Sequence, residues 1–182
     1  MYFYFDTKDS NNRTPVTLVA SLLKQLVSYP APFNKIPPSL KELFDEYVSF
    51  CSSNPSQQPR KPDIYTLVDV FINCSKEYPP VFVMLDAFDE CSFALRGKVI
   101  SLLTQFHDSG MRVYITTRPY LLEDLTTGPF NGASTMKITA NPEDVESYIR
   151  ERLRNPYCDE CLMTEIVKTV TSGIDGMYTR SI

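Results

Sequence analysis

The sequence predicts an α/β domain with a mostly parallel sheet, and three observations carry that expectation. Short β-rich apolar runs alternate with longer stretches of helical period along the 182 residues. The run Val81-Phe82-Val83-Met84-Leu85 is apolar without a polar break, the pattern of a strand covered on both faces at the centre of a parallel sheet. A second run, Met111-Arg112-Val113-Tyr114-Ile115-Thr116-Thr117, follows after one helix-length segment, so the unit reads β, α, β.

The first strand is the aromatic run Tyr2-Phe3-Tyr4-Phe5, which ends at Asp6 and a polar stretch over 8–13. Its aromatics are assigned to the sheet core rather than to a base-stacking platform, because no basic residue interleaves them. Thr14 and Pro15 supply an N-cap and a first-turn proline for a helix whose Val19, Leu22, Leu23, Leu26 and Val27 share one face, with Pro30 and Pro32 beyond its end. Past Pro37 and Pro38, Ser39 and Glu42 have capping-box spacing, ahead of Leu40, Leu43, Phe44, Tyr47, Val48 and Cys51. Residues 52–62 are polar and proline-containing and read as a mobile loop, and Asp63 then caps a helix carrying Ile64, Leu67, Val68, Phe71 and Ile72.

Pro79-Pro80 introduces the central strand, and residues 93–107 form the crossover helix with Leu95, Val99, Leu102, Leu103 and Phe106 inward and a stop near Gly110. A short helix over 120–125, turns at Gly128 and Gly132, and a strand over 135–139 come next. Asn141-Pro142 starts a helix with Val145, Tyr148, Ile149 and Leu153, and a last helix covers 159–171. The chain divides into an α/β part, 1–140, and the start of a helical segment, 141–182. A strand that opens at Met1 and a stop just after Gly176-Met177-Tyr178 suggest cuts within a longer protein.

Charge and composition exclude several functions. Lys and Arg number 18 against 22 Asp and Glu, a net charge of −4, so there is no basic stripe to neutralise phosphates and nucleic acid is not an expected partner. No apolar run approaches the roughly 20 residues that span a bilayer, and the opening residues lack the features of a leader peptide, so no membrane association is expected. Five cysteines, an odd number scattered at 51, 74, 91, 158 and 161, argue against a disulfide framework and for a reducing, cytoplasmic setting. Cys158 and Cys161 have zinc-like spacing but no second ligand pair, and read as incidental thiols. His107, the one histidine, sits at the end of a helical run and leaves no material for a histidine-based triad.

The chemistry-bearing segment is Asp86-Ala87-Phe88-Asp89-Glu90, directly after the apolar run. Ligands of open α/β sheets bind at this carboxyl edge. A hard cation such as Mg2+ takes one or two carboxylates and fills its shell with water and phosphate oxygens, a post for Asp86, while a further carboxylate such as Glu90 orients water. The alternative is structural: Asp86 ends the strand, and Asp89 and Glu90 cap the next helix.

The segment from Val81 to Cys91 resembles the Walker B motif of NACHT domains, the STAND branch of P-loop NTPases, with fungal NACHT and nephrocystin-like proteins nearest in pattern. The run Met111 to Thr117 with Arg118-Pro119 after it resembles the family's next core strand and its sensor 1 arginine. Tyr2 to Asp6 with 18–26 is similar to the strand and helix between Walker A and Walker B, and 138–149 to the family's segment after sensor 1. The resemblance implies a three-layer, mostly parallel sheet of P-loop NTPase (ASCE) type with C-terminal helices. It also implies ATP and Mg2+ as cofactors, Asp86 in the metal shell, Asp89 and Glu90 as the catalytic acidic pair, and Arg118 on the γ-phosphate. The arginine fork suits phosphate oxygens. Signalling partners, self-association and neighbouring ankyrin or WD40 repeats are likewise implied.

One departure is severe. A P-loop needs G-x-x-x-x-G-K followed by Ser or Thr, and the single Gly-Lys pair, Gly97-Lys98, is followed by Val99 inside a helical pattern. The Walker A strand, which in such sheets lies between the strand at 112–116 and that at 135–139, is expected to be missing. Each charge-assisted bond from a P-loop contributes roughly 1.5–3 kcal/mol, so losing several weakens nucleotide binding by powers of ten. The chain alone is therefore expected not to bind or hydrolyse ATP, and to expose apolar surface that invites aggregation or pairing. A noncatalytic interaction scaffold, or a Mg2+-dependent phosphohydrolase without a P-loop, are the other readings.

Overall fold

A computed structural model describes residues 1–6, 14–28, 36–54, 57–58, 61–78, 80–128, 130–138, 141–153 and 159–173. Among them three strands, β1 (Tyr2–Tyr4), β2 (Phe82–Asp86) and β3 (Arg112–Ile115), form one parallel sheet in the order β1-β2-β3. Tyr2 lies opposite Met84, Phe3 opposite Leu85 and Tyr4 opposite Asp86, while Met84 also pairs with Tyr114 and Phe82 with Arg112. The expected central strand is therefore central among the described strands, one residue later than its apolar run indicates.

Among the described residues seven α-helices accompany the sheet: α1 (Pro15–Ser28), α2 (Pro38–Ser53), α3 (Ile64–Ser75), α4 (Phe93–Asp108), α5 (Pro119–Thr127), α6 (Pro142–Arg152) and α7 (Glu160–Gly173). The predicted stripe of α1 is the observed one, with Leu18, Val19, Leu22, Leu23 and Leu26 buried. Asp63 caps α3 as its position indicates, accepting from Tyr65 N and Thr66 N. In α4 the inward residues are Val99, Leu102, Leu103 and Phe106. Phe71 of α3 and Phe106 of α4 meet edge to face at 4.9 Å, and Gly110, at φ +89, turns the chain into β3 where a side chain would be strained. Lys98 and His107 are exposed on α4.

Strand side chains alternate between two unlike faces. Phe3, Val83 and Leu85 point into a core shared with α1, α3 and α4, with Val113 and Ile115 packed against it. The other face carries Tyr2, Tyr4, Phe82, Met84 and Tyr114, all exposed. Burial on both faces, expected from the unbroken apolar run, is thus not found among the described residues: helices cover one face and the arrangement has two layers. The aromatic run divides accordingly, Phe3 and Phe5 into the core and Tyr2 and Tyr4 away from it. On β1 the amide side chain of Gln25 accepts from Tyr2 N at 2.9 Å and donates to Tyr2 O at 2.7 Å, occupying strand-pairing groups of the free edge.

Three further expectations are corrected. The capping box at Ser39 and Glu42 does not form: Pro38 takes the first turn, Pro37 becomes the N-cap, and Ser39 Oγ lies 3.5 Å from Cys74 Sγ instead. Helix α2 buries none of its side chains, although Leu40 and Leu43 pack partly against the core. No strand occurs within 135–138, where Met136 is 76% exposed and nothing is buried to hold an extended segment.

The helices α6 and α7 carry a separate cluster of Ile149, Met163 and Val167 with Val145 and Ile166. Asn141 caps α6 by accepting from Glu143 N, and Arg150 bridges Glu146 and Glu160 at 2.8 and 2.7 Å. The stretch 8–13, Pro30, Pro32, parts of 52–62, Pro79, Thr139, Cys158 and the segment from Gly176 onward lie outside the described residues. Among the described residues no helix is long and apolar enough to cross a membrane.

Candidate functional site

The site is built where β2 ends. Asp86 is its last residue, and Ala87 turns the chain sharply through the left-handed region at φ 54, ψ 47. An alanine there carries a steric cost of roughly 1–2 kcal/mol, which the neighbouring anchors offset. Phe88, 1% exposed, plugs into the core against Phe5 at 5.8 Å, and its amide donates to Thr116 O at 2.9 Å. The next segment, Phe88–Glu90, is a single 3-10 turn carrying Asp89 and Glu90.

Thr116, just past the end of β3, locks this corner to its neighbour. Its hydroxyl donates to Asp86 Oδ1 and accepts from Ala87 N at 2.8 Å, and Ala87 N also donates to Asp86 Oδ1 at 3.0 Å. Thr116 N donates to Leu85 O at 2.8 Å, extending the β2 to β3 pairing. Asp86 is thus fixed through one oxygen by side chain and backbone together. The hydroxyl of the next residue, Thr117 Oγ1, is buried without a hydrogen-bond partner among the described residues, which costs about 1–3 kcal/mol unless water or a ligand meets it.

Arg118 stands at the N-cap of α5, before Pro119 at the first helical position. Its Nε lies 3.1 Å from Asp89 Oδ2, with the arginine side chain 65% exposed and the aspartate 8%. This joins two of the four sequence-predicted site residues across adjacent connections of the sheet. Helix starts carry a partial positive charge, so guanidinium and dipole act together on anions here.

Arg96 of α4 holds the loop from the other side, donating from Nε to Cys91 O at 2.9 Å and from its terminal amino group to Asp89 O at 2.7 Å. Cys91 is buried beneath it, and burial pushes its thiol up, opposed by the Arg96 charge. Ser92 is the N-cap of α4 and makes no side-chain cap bond.

Sequence reasoning did not single out Thr116 or Arg96. For Thr116 the available signal is a hydroxyl ending an apolar strand two residues before an arginine. Arg96 offers none, because its contacts are to carbonyls of a turn whose shape the residue types do not dictate.

The donor set limits the kind of cation that fits. Among the described residues no group of three or more His, Cys, Asp and Glu side chains is placed to hold a metal. Asp86, a single carboxylate, fits an ion that draws most of its shell from water and phosphate, and does not fit a cage of protein ligands.

A parallel α/β sheet with a carboxylate, an ion-paired arginine and an acidic turn at its carboxyl edge defines a class, that of open α/β proteins with a polar site beyond the strand ends. More narrowly, the chain belongs to the family described as Nephrocystin 3, N-terminal, whose model matches residues 1–118. The matched span takes in all three strands and ends on Arg118, so it includes every residue of the candidate site. No curated protein and no solved structure matches the chain.

Proposed function

We propose that this chain is a partial NACHT-type nucleotide-switch module of the STAND class, with Walker B and sensor 1 positions in place and the phosphate cradle not among its 182 residues. The observation that carries the reading is the pairing at the sheet edge. Asp86 is oriented by Thr116 at the end of one strand, and Arg118 is held on Asp89 at the exit of the next. In this reading Asp86 would hold the Mg2+ shell, and Arg118 would exchange Asp89 for the terminal phosphate. Asp89 and Glu90 then orient water. The magnesium ion supplies charge neutralisation on the phosphates.

Without a P-loop the chain alone has one arginine to offer a triphosphate, and a carboxylate that could act only through Mg2+, too few donors for tight binding. Titration of the purified chain with a fluorescent ATP analogue and Mg2+ is expected to give no micromolar binding. Micromolar affinity abolished by Asp86→Ala would overturn the proposed loss of activity. Addition in trans of a segment bearing a Walker A motif restores binding if the switch reading is right.

A second reading, a noncatalytic interaction scaffold, is favoured by the exposed sheet face with Tyr2, Phe82, Met84 and Tyr114. Retained solubility together with indifference to nucleotide, with and without the added segment, distinguishes it.

A further inference from the structure

The outer side of β1 is closed by a side chain. In the parallel ladder Met1 O accepts from Met84 N and Phe5 N donates to Asp86 O, so residues 1, 3 and 5 turn their peptide groups toward β2. Tyr2 and Tyr4 therefore turn theirs outward, and β1 is an end strand among the described ones. Gln25 of α1 meets Tyr2 with both ends of its amide, accepting from Tyr2 N at 2.9 Å and donating to Tyr2 O at 2.7 Å. A primary amide offers the same donor and acceptor as a peptide group, so the contact has the form of one step of a strand ladder. The amide nitrogen also reaches Ser21 Oγ at 3.4 Å, one turn back on the helix. Ordering a glutamine costs rotamer freedom, and these contacts hold it in place.

This edge needs a guard. Met1 to Phe5 carries no charged side chain, proline or glycine, and its run of aromatics is a strong strand former, a composition that pairs readily with another extended backbone. The register against β2 runs without a bulge, so that protection is missing too. We infer that Gln25 is a lock that keeps two copies of this chain apart: with its amide withdrawn, β1 pairs antiparallel with β1 of a second copy about a two-fold axis at Phe3. The axis follows from the ladder. An antiparallel neighbour bonds through alternate residues, and only Tyr2 and Tyr4 of β1 present their groups outward. With the axis at Phe3, Tyr2 faces Tyr4 of the second copy and Tyr4 faces its Tyr2, so each donor meets an acceptor. An axis at Tyr2 would leave Tyr4 beyond the end of the second strand. The edge is thus its own complement, as a two-fold dimer requires. The rings of Tyr2 and Tyr4, 67% and 40% exposed on one face, would meet across the join as cross-strand aromatic pairs.

The inference does not rest on the nucleotide reading, and its test uses no nucleotide. Gln25→Met keeps the length and apolar stem of the side chain and removes both hydrogen-bonding atoms. Sedimentation equilibrium is expected to show dimerisation about tenfold or more tighter than that of the parent chain. Hydrogen exchange reports the edge itself: the Tyr2 amide of the variant exchanges faster than the parent's in dilute solution and regains protection as concentration rises. Tyr2→Pro added to Gln25→Met removes one outward donor and no bond to β2, and is expected to return association to the parent's level. Gln105→Ala, on α4 where the amide reaches only Ser101 O of its own helix, leaves association unchanged. Gln25→Ala, checked by circular dichroism, repeats the measurement should Gln25→Met fail to fold. Association no tighter than the parent's overturns the proposal. So does growth past the dimer, failure of Tyr2→Pro to reverse the effect, or a Tyr2 amide that stays unprotected at high concentration.

Discussion

Replacing Thr116 by valine preserves the shape of the side chain and removes one hydroxyl, so it isolates the bond that fixes Asp86. Two interactions are lost: the donation to Asp86 Oδ1 and the acceptance from Ala87 N at 2.8 Å. The second is partly replaced, because Ala87 N keeps Asp86 Oδ1 at 3.0 Å. The first is a hydrogen bond from Thr116, only 6% exposed, to a carboxylate, and such bonds contribute about 1.5–3 kcal/mol. Thr116→Val is therefore expected to destabilise by about 2 kcal/mol, a fall in Tm of roughly 4–8 °C for a chain of this size. Urea unfolding followed by circular dichroism measures it. A double-mutant cycle with Asp86→Ala assigns the loss, with an expected coupling of about 1–2 kcal/mol. A Thr116→Val chain within about 0.5 kcal/mol of the parent, or additive effects in the cycle, would refute the claim that Thr116 positions the carboxylate.

Other expectations rest on the same geometry. Arg96→Met keeps the apolar stem and removes two donations to turn carbonyls, for a loss of about 2 kcal/mol in thermal or urea melts, and Asp89 becomes more accessible to a charged probe. Ala87→Gly relieves the left-handed backbone but loosens the unfolded chain, so the net gain is about 0–1 kcal/mol by the same melts. Asp63→Ala deletes the α3 cap and costs about 1 kcal/mol, again read from urea unfolding. Burial pushes the Cys74 and Cys91 thiols up, so at pH 8 both are alkylated by iodoacetamide far more slowly than exposed Cys161. Because their folded-state values are raised, the stability these thiols contribute is complete below the ordinary thiol range and is lost as pH rises through the raised values, which alkaline melts detect.

Local signals located most of the elements. The α1 stripe, the Asp63 cap, the Asn141-Pro142 start and the α4 face each depend on residues within a turn or two of one another. Expectations failed where a partner outside the segment decides. Leu40, Leu43, Phe44 and Tyr47 have helical spacing and do form α2, yet its stripe finds little to pack on. Residues 135–138 have strand-like composition and no neighbouring strand among the described residues. Periodicity states which side chains share a face and is silent about what lies against that face.

The candidate site divides in the same way. Residue types placed Asp86, Asp89, Glu90 and Arg118 near one sheet edge, because a strand end and the end of its parallel neighbour must lie side by side once one helix joins them. They could not show which groups would pair. Arg118 reaches Asp89 because Ala87 adopts the left-handed turn and Phe88 anchors in the core, which swings the acidic turn toward the start of α5. The pair neutralises a mostly buried carboxylate with an exposed arginine, so in the proposed switch a phosphate competes with Asp89 for the same guanidinium. Arg118→Gln therefore separates two effects that simple charge counting merges. It leaves Asp89 without its cation, lowering stability by about 1 kcal/mol or less given the exposure of the arginine. Under the proposed switch reading it also removes a phosphate contact, so in the presence of a trans-supplied Walker A segment nucleotide affinity is expected to fall by more than the stability loss alone accounts for. Equal changes in the two measurements would mean that Arg118 serves the turn and not the ligand.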